Sequence, residues 1–229
     1  MSATLKILTS NSMRAVMDEL TPVFERASGN KVEVSYDPAK VILRRIAGGE
    51  TPDVLICGSS ALDEMAKQGK IVADSCRPLA RCSVGIAVRA GAARPDIGTV
   101  DAFKRALLNA KSVAYTQEGA SGIHFAGLIE RLGIAEPVKN KAVRQPGGLV
   151  GELVAAGKAE MAVQQIPELM AVPGIDLVGP LPQEVQATTV SAGGVFAGSP
   201  EPAAARAFLD FLSTPASARV LEAKGLEPV

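Results

Sequence analysis

The sequence predicts an α/β fold in which mainly parallel sheets are flanked by helices. Short runs of β-branched and other apolar residues alternate along the chain with helical patterns, as in βα units. Most of these runs end in small hydroxyl- or amide-bearing residues, directly before a predicted helix. Because ligands of open α/β sheets bind beyond the carboxyl ends of the strands, the same pattern also predicts a ligand site.

The predicted strands cover residues 5–9, 31–36, 53–57, 83–89, 112–116, 141–144, 161–164, 175–178 and 188–197. The predicted helices between them cover residues 12–27, 39–47, 60–68, 100–108, 122–132 and 149–156. Two more helices are expected after residue 197. Pro200 and Pro215 fit their first turns, and Gly225 fits a C-cap.

Two long predicted strands, 83–89 and 188–197, bracket the middle of the chain. This arrangement predicts two α/β lobes. The first is built from residues 1–83 together with 190–229, and the second, 84–189, is inserted into it.

Composition and charge limit the classes of partner. The 229 residues are 47% hydrophobic and 21% charged, and Lys+Arg equals Asp+Glu at 24 each. Such a balance offers no basic field for nucleic acid, so no nucleic-acid partner is expected. No run approaches the roughly 20 apolar residues of a membrane span, and no membrane insertion is expected. A charged ligand must therefore be recognised locally.

Cysteine usage and the N-terminus bear on the compartment. The three cysteines, Cys57, Cys76 and Cys82, are too few and odd in number for a disulfide framework, which mildly favours a reducing compartment. The first residues lack the basic and apolar regions of a signal peptide. A native start at Met1 would make the protein cytoplasmic, whereas a leader removed upstream would make it periplasmic.

The helix starts are the candidate binding elements. Ser10, Asn11 and Ser12 follow the first strand, and Ser121 stands at another expected helix start. Free N–H groups and the helix dipole make such a start an anion site. The alternative is that Ser12 and Ser121 are ordinary N-caps.

Few residues are candidates for catalysis. Asp37, Cys57 and His124 could each transfer a proton, although a turn aspartate, a buried thiol and a solvent-facing histidine are the simpler interpretations. Arg144 or Arg81 could clamp a carboxylate, unless they are solvated surface residues. One histidine and three scattered cysteines have no metal-ligand spacing, and no phosphate-binding glycine motif is present, so no metal and no cofactor are expected.

Several stretches resemble one family. These include "LKILTSNSMRAVMDEL", "RRIAGGETPDVLICGSS", "ASGIHFAGLIERLGI" and the closing "AFLDFLSTPASARVLEAKG". They are similar to the type II periplasmic binding proteins, specifically the molybdate-binding-protein-like branch. The resemblance implies a two-lobed fold with a ligand cleft between the lobes, which close on a small anion. It also implies an ABC-transporter permease as partner if the protein is exported.

The resemblance implies binding positions in the first lobe. The first-loop serine of the family is retained as Ser12. At the serine after the second strand this chain has Pro38 or Ala39, with Asp37 beside them. A backbone amide after the third strand falls at Gly58 or Ser59.

In the second lobe, the amide at a helix start corresponds to Ser121, and the next helix start to Pro146 or Gly147. Gln164 stands where parts of the family have a tyrosine. The lost serine and the nearby Asp37 would disfavour a tetrahedral dianion, because one donor is replaced by a repelling charge.

The function implied is therefore binding of a small anion, either an oxyanion such as molybdate or an organic di- or tricarboxylate. The alternative is an isomerase of an unsaturated carboxylic acid on the same scaffold, which would work by proton transfer in the cleft. A cytoplasmic sensor is a third hypothesis.

Overall fold

The computed structural model describes residues 3–229. The chain divides into two compact units. The first comprises the residues up to Cys82 together with Thr189–Val229, and the second comprises Ser83–Thr188.

The strands are β1 Thr4–Thr9, β2 Lys31–Tyr36, β3 Val54–Gly58, β4 Arg77–Arg89, β5 Val113–Thr116, β6 Ala142–Gln145, β7 Met161–Gln165, β8 Ile175–Pro180, β9 Thr188–Val195 and β10 Glu227–Pro228. The α-helices are α1 Arg14–Ser28, α2 Ala39–Ala47, α3 Ser59–Lys67, α4 Val100–Asn109, α5 Ala120–Arg131, α6 Ala135–Lys139, α7 Gly151–Ala155, α8 Ile166–Met170, α9 Pro202–Leu212 and α10 Pro215–Ala223. Short 3-10 helices lie at Asn11–Met13, Ala73–Ser75 and Gln183–Val185.

In the sheet of the first unit, β1 lies between two parallel neighbours. This strand runs parallel to β2 on one side and to β3 on the other, so Thr9 lies opposite Tyr36 and Ile56. β9 is antiparallel to β3, and the short β10 is antiparallel to the first half of β4. The carboxyl ends of β1, β2 and β3 therefore meet at one edge.

The second unit repeats this arrangement. Here β5 runs parallel to β6 and to β7, and Thr116 lies opposite Gln145. The second half of β4 is antiparallel to both β7 and β8. Strands within βα units are parallel, as predicted. The sheets also carry antiparallel strands, because β4, β8 and β9 are reached by other connections.

Both faces of the first sheet are covered by apolar side chains. Leu5 and Ile7 pack on one face with α1, α9 and α10, whereas Leu8 faces a second cluster that includes Ile42 of α2. This alternation along β1 follows from the two-residue period of a strand. On the first face, Phe24 and Phe208 pack edge to face, with ring centroids 5.0 Å apart.

The second unit has its own core. Phe103, Tyr115 and Phe125 lie in its larger cluster, and the rings of Tyr115 and Phe125 are 5.0 Å apart. A smaller cluster on the other face of the sheet contains Ala114, Val150 and other short side chains.

The C-terminal helices correct one expectation. Pro215 does open α10, as predicted, and Gly225 follows this helix with φ of +82°. Pro200, however, lies outside α9, which Pro202 opens. The helices α6 and α8 were not predicted, since each has only five residues and thus less than two turns of periodicity. Across residues 3–229, no helix is long and apolar enough to span a membrane.

Candidate functional site

The first loop of the candidate site follows β1. Asn11 and Ser12 are buried, and the hydroxyls of Ser10 and Ser12 are 2.9 Å apart. Ser12 is not the predicted N-cap, because it lies inside the 3-10 helix and Ser10 occupies the cap position without a side-chain bond. The reason is that the Met13 N–H already bonds the Ser10 carbonyl at 3.1 Å. The two hydroxyls hydrogen-bond each other instead of capping the helix.

Asp37 follows β2, and its backbone N–H bonds the Thr9 carbonyl at 3.0 Å. Its carboxylate is ion-paired with Arg45 of α2, whose guanidinium also binds Glu50. Hydrogen bonding from Arg45 lowers the pKa of Glu50. Asp37 is thus accompanied by a cation that Glu50 shares, and Arg45 offsets only part of the repulsion expected of a bare aspartate. The sequence interpretation missed this partner.

The third strand end carries Cys57, Gly58 and Ser59. Gly58 occupies the N-cap position of α3, and a Cβ placed there would have no atom within 4 Å, so its main chain faces open space. Cys57 is buried, and burial raises the pKa of its thiol to about 12. A thiol with this pKa is protonated at neutral pH, which disfavours a nucleophilic or basic role.

In the second unit, α5 starts at the carboxyl end of β5. Its N-cap is Gly119 rather than Ser121, which is buried within the first turn, so the N-cap prediction for Ser121 was wrong. No side chain caps this helix start, and the first intrahelical hydrogen bond runs from the Ile123 N–H to the Gly119 carbonyl. The N–H groups of Ala120, Ser121 and Gly122 consequently have no intrahelical acceptor.

Two glycines let this helix approach the strand closely. A Cβ at Gly122 would lie 1.7 Å from the carbonyl oxygen of Thr116, and one at Gly119 would lie 2.5 Å from the Thr116 hydroxyl. Both distances exclude any larger side chain unless the backbone moves. The stretch "GASG" therefore places an uncapped helix start directly on the end of β5.

Two buried threonine hydroxyls were missed by the sequence analysis. The hydroxyl oxygens of Thr9 and Thr116 have no hydrogen-bond partner among the described residues. Thr9 ends β1 and Thr116 ends β5, so each unit has an unpaired hydroxyl at the same place. Their position as the last residue of a strand before a polar loop was the available signal. Buried hydroxyls are normally bonded, and these two are candidates to meet a ligand or water.

Gln164 has a structural role in this structure. Its side-chain carbonyl accepts the Val150 N–H at 2.9 Å, and its amide donates to the Gly148 carbonyl at 2.7 Å. Gly148 has φ of +85°, which favours glycine. Gln164 thus holds the turn that contains Gly147, and its side chain also hydrogen-bonds Glu168.

Of the remaining candidates, Arg144 lies one residue before the end of β6, whereas Arg81 and His124 do not lie at the end of a strand. Arg144 is exposed on β6 opposite Tyr115, and Arg81 is exposed on β4 opposite Glu227. The Nε2 of His124 is 3.0 Å from the carbonyl of Val185, so in this contact it acts as a donor to the main chain.

Glu168 is a buried acid that the sequence analysis did not find. It lies in the first turn of α8, three residues after the N-cap Gln165. Burial raises its pKa to about 8, opposed by hydrogen bonds from the Gln165 main chain and the Gln164 side chain. Its spacing from Gln165 matches a capping box, in which the acid accepts the N–H of the N-cap residue. This structural role explains why an acid is buried here without invoking a ligand.

The strand ends thus present mainly neutral donors and one acid, Asp37, that is ion-paired with Arg45. No cluster of His, Cys, Asp or Glu able to hold a metal ion occurs within residues 3–229. Neutral hydroxyls and backbone N–H groups of this kind suit a dehydrated small anion, since they donate hydrogen bonds without requiring a counter-charge.

The chain is similar to known proteins over its whole length. It is 37% identical to an aconitate isomerase from Pseudomonas sp., with 99% of this chain and 88% of that protein covered. It is 27% identical to the molybdate-binding protein ModA of Azotobacter vinelandii, covering 98% of this chain and 90% of ModA.

Solved structures agree on the fold. The periplasmic molybdate-binding protein of Azotobacter vinelandii aligns with a TM-score of 0.81 at 16% identity, with 97% and 98% of the two chains covered. The sulfate-binding protein SubI of Mycobacterium tuberculosis H37Rv aligns with a TM-score of 0.77 at 18% identity, with 99% and 87% covered. The model of the bacterial extracellular solute-binding protein family matches residues 5–227. The predicted family is confirmed, and the chain belongs to the bacterial extracellular solute-binding proteins.

Proposed function

We propose that this solute-binding protein takes a small organic di- or tricarboxylate through the strand-end donors described above. The observation that carries the proposal is the uncapped start of α5 beside the buried, unpartnered hydroxyl of Thr116. Consecutive free N–H groups with an adjacent hydroxyl match the two oxygens of a carboxylate.

A tetrahedral oxyanion is a poorer candidate. Residues 38 and 39 carry no side-chain donor where the family resemblance implies a serine, and the Gln164 amide is bonded to its own main chain. A planar carboxylate needs fewer convergent donors than a tetrahedral dianion. A ligand with two or three such groups can engage several strand ends while leaving the missing donors unused.

Isomerisation of the bound acid is a second candidate function. It is favoured by the 37% identity to the aconitate isomerase. The chemistry would move one proton from one carbon to another while the double bond shifts, with no net loss of atoms or electrons. Cys57 is disfavoured by its raised pKa and His124 by its main-chain contact, so Asp37 is the base to test. Glu168, which is protonated below its pKa of about 8, is the acid to test.

Ligand class is tested by thermal shift against molybdate, sulfate, phosphate, succinate, citrate and the two aconitates. A ligand at about a hundred times its Kd stabilises by about 2.7 kcal/mol, or roughly 5 to 11 °C for a chain of this size. Each carboxylate that responds is then incubated with the protein and followed by proton NMR. Binding without conversion supports a binding protein, and conversion supports the isomerase. A response to molybdate alone would overturn the carboxylate proposal.

The role of α5 is tested by Ala120→Pro. Ala120 is the first helical residue and Gly119 is extended, so proline fits there and removes one free N–H without breaking the helix. The carboxylate Kd should rise about fivefold while stability is unchanged. Val100→Pro, at the first position of α4, is the matched control, because Thr99 is also extended. Equal effects of both variants would contradict the proposal.

We also propose that the protein works outside the cytoplasm and passes its ligand to an ABC-transporter permease. The support is its membership of an extracellular solute-binding family. Fractionation of cells expressing the full natural gene tests the compartment. Recovery of the protein only from the cytoplasm would reject this part of the proposal.

A further inference from the structure

A cavity of about 440 Å³, open to solvent on one side, is lined only by residues of the second unit and lies away from the candidate site. Its lining includes Val88 of β4 and Met161, which opens β7, and these two residues are register partners. Gln164 and Gln165 stand at the other end of β7. The cavity is therefore at the opposite edge of the sheet from the strand ends that define the candidate site.

The cavity has an apolar wall of small side chains. One side is lined by Ala102 and Ala106 of α4 and by Ala110, the residue that follows this helix. Val88 and Met161 also belong to the lining. Alanines at this spacing lie on one face of the helix. Short side chains on that face leave the space that larger residues would fill. The volume falls in the range of small-molecule sites.

The charged residues that line the cavity differ in whether they already have a hydrogen-bond or ion-pair partner. Arg94 is 3.5 Å from Asp176. The Asp96 carboxylate accepts the Gly98 N–H at 2.9 Å, and Glu160 accepts the Lys111 N–H. Arg105 of α4, in contrast, is exposed at the rim of the cavity and has no hydrogen bond or ion pair in the described part of the chain.

We propose that this cavity binds a small monocarboxylate with an apolar body, its carboxylate on Arg105 and its tail against the α4 alanines. The free guanidinium offers a bidentate arrangement of donors to one carboxylate. The alanine wall gives the tail a surface to remove from water.

The acids of the lining set the selectivity. A second carboxylate on the ligand would meet Asp96 or Glu160, which are negative already, so dicarboxylates should bind less well here. A cationic analogue would lose the contact with Arg105. This preference differs from that of the candidate site, which is proposed to take di- and tricarboxylates.

The test is an NMR titration of the isotopically labelled full chain with hexanoate, compared with adipate and hexylamine. Hexanoate should shift the amide signals of Ala102, Ala106 and Met161 selectively, and adipate and hexylamine should do so far more weakly. Arg105→Gln should raise the hexanoate Kd about tenfold. Arg131→Gln, an exposed arginine on α5 of the same unit, is the control and should leave the Kd unchanged.

A second variant probes the apolar wall. Ala106→Leu fills the cavity and should abolish the hexanoate shifts. The proposal is overturned if hexanoate shifts no cavity signal, if hexylamine binds as well, or if Arg105→Gln binds hexanoate like the unmodified chain. Because the signals are assigned to residues, these outcomes are independent of whether the strand-end site binds a polycarboxylate.

Discussion

The carboxylate of Asp37 is ion-paired with the guanidinium of Arg45, eight residues further along the chain. The acid that seemed from sequence to oppose anion binding is therefore accompanied by a cation of the following helix. Both side chains are about a quarter exposed, so solvent screens the pair and its contribution to stability is small.

This ion pair predicts that substitutions of its two members change ligand affinity in opposite directions. Arg45→Gln leaves Asp37 and Glu50 without their shared cation and should weaken polycarboxylate binding, whereas Asp37→Asn leaves Arg45 paired with Glu50 alone, removes one negative charge and should strengthen binding. Each change should be about 1 kcal/mol, or roughly fivefold in Kd. Calorimetric titration measures both. Weaker binding in both variants would instead indicate that the carboxylate of Asp37 contacts the ligand.

The close packing of α5 on β5 predicts a strong effect at one glycine. Gly122→Ala would place its Cβ 1.7 Å from the Thr116 carbonyl and should destabilise the protein by about 3 kcal/mol or more. Gly127→Ala on the same helix meets only the flexible end of Arg131, at 3.4 Å, and should be neutral or stabilising by up to about 1 kcal/mol. Urea denaturation compares the two, and similar values would show that the helix start can move away from the strand.

The Gln164 amide predicts a structural rather than a ligand effect. Gln164→Leu leaves the Val150 N–H and the Gly148 carbonyl unpaired, which should cost about 1 to 3 kcal/mol of unfolding free energy. The exposed Gln183→Leu is the control and should change stability by less than about 0.5 kcal/mol. If Gln164→Leu is fully stable yet no longer binds ligand, its amide is a binding group after all.

Glu168 predicts a loss of stability as pH rises. Its folded pKa is raised to about 8 from the ordinary 4.5, so the folded state holds a proton that the unfolded state releases. Its favourable contribution is complete below about pH 4.5 and is lost as pH rises through about 8, at about 1.4 kcal/mol per pH unit. Glu168→Gln, which keeps an acceptor for the Gln165 N–H, should flatten urea-measured stability between pH 5 and pH 9. An unchanged slope would mean that Glu168 ionises normally.

Thiol labelling tests the assignment of Cys57. Cys76 is partly exposed whereas Cys57 and Cys82 are buried, and burial raises the pKa of Cys57 to about 12. Iodoacetamide should therefore modify Cys76 first and leave Cys57 nearly untouched in the native state. All three should react after denaturation, which serves as the control. Rapid labelling of Cys57 would restore it as a candidate base.

Local patterns predicted the elements well, and their limits have physical causes. The strand ends at Thr9, Tyr36 and Thr116 could be predicted because alternation and turn residues are encoded within a few positions. The side chains that bond to residues near those strand ends could not be predicted. Arg45 lies a helix away from Asp37, and Gln164 is bonded to residues 14 and 16 positions earlier. The caps expected at Ser12 and Ser121 failed because the neighbouring main chain began each helix earlier.

The division of the chain has a consequence for its synthesis. The first unit is discontinuous, because β9, α9 and α10 come after residue 187, yet β9 pairs with β3 and Phe208 packs on Phe24. The second unit, Ser83–Thr188, is one uninterrupted segment. On the ribosome it can therefore complete its core while the residues up to Cys82 still lack their C-terminal partners. This N-terminal part of the first unit must stay soluble meanwhile with the open edge of β3 exposed, so this strand is where translation-coupled aggregation would begin.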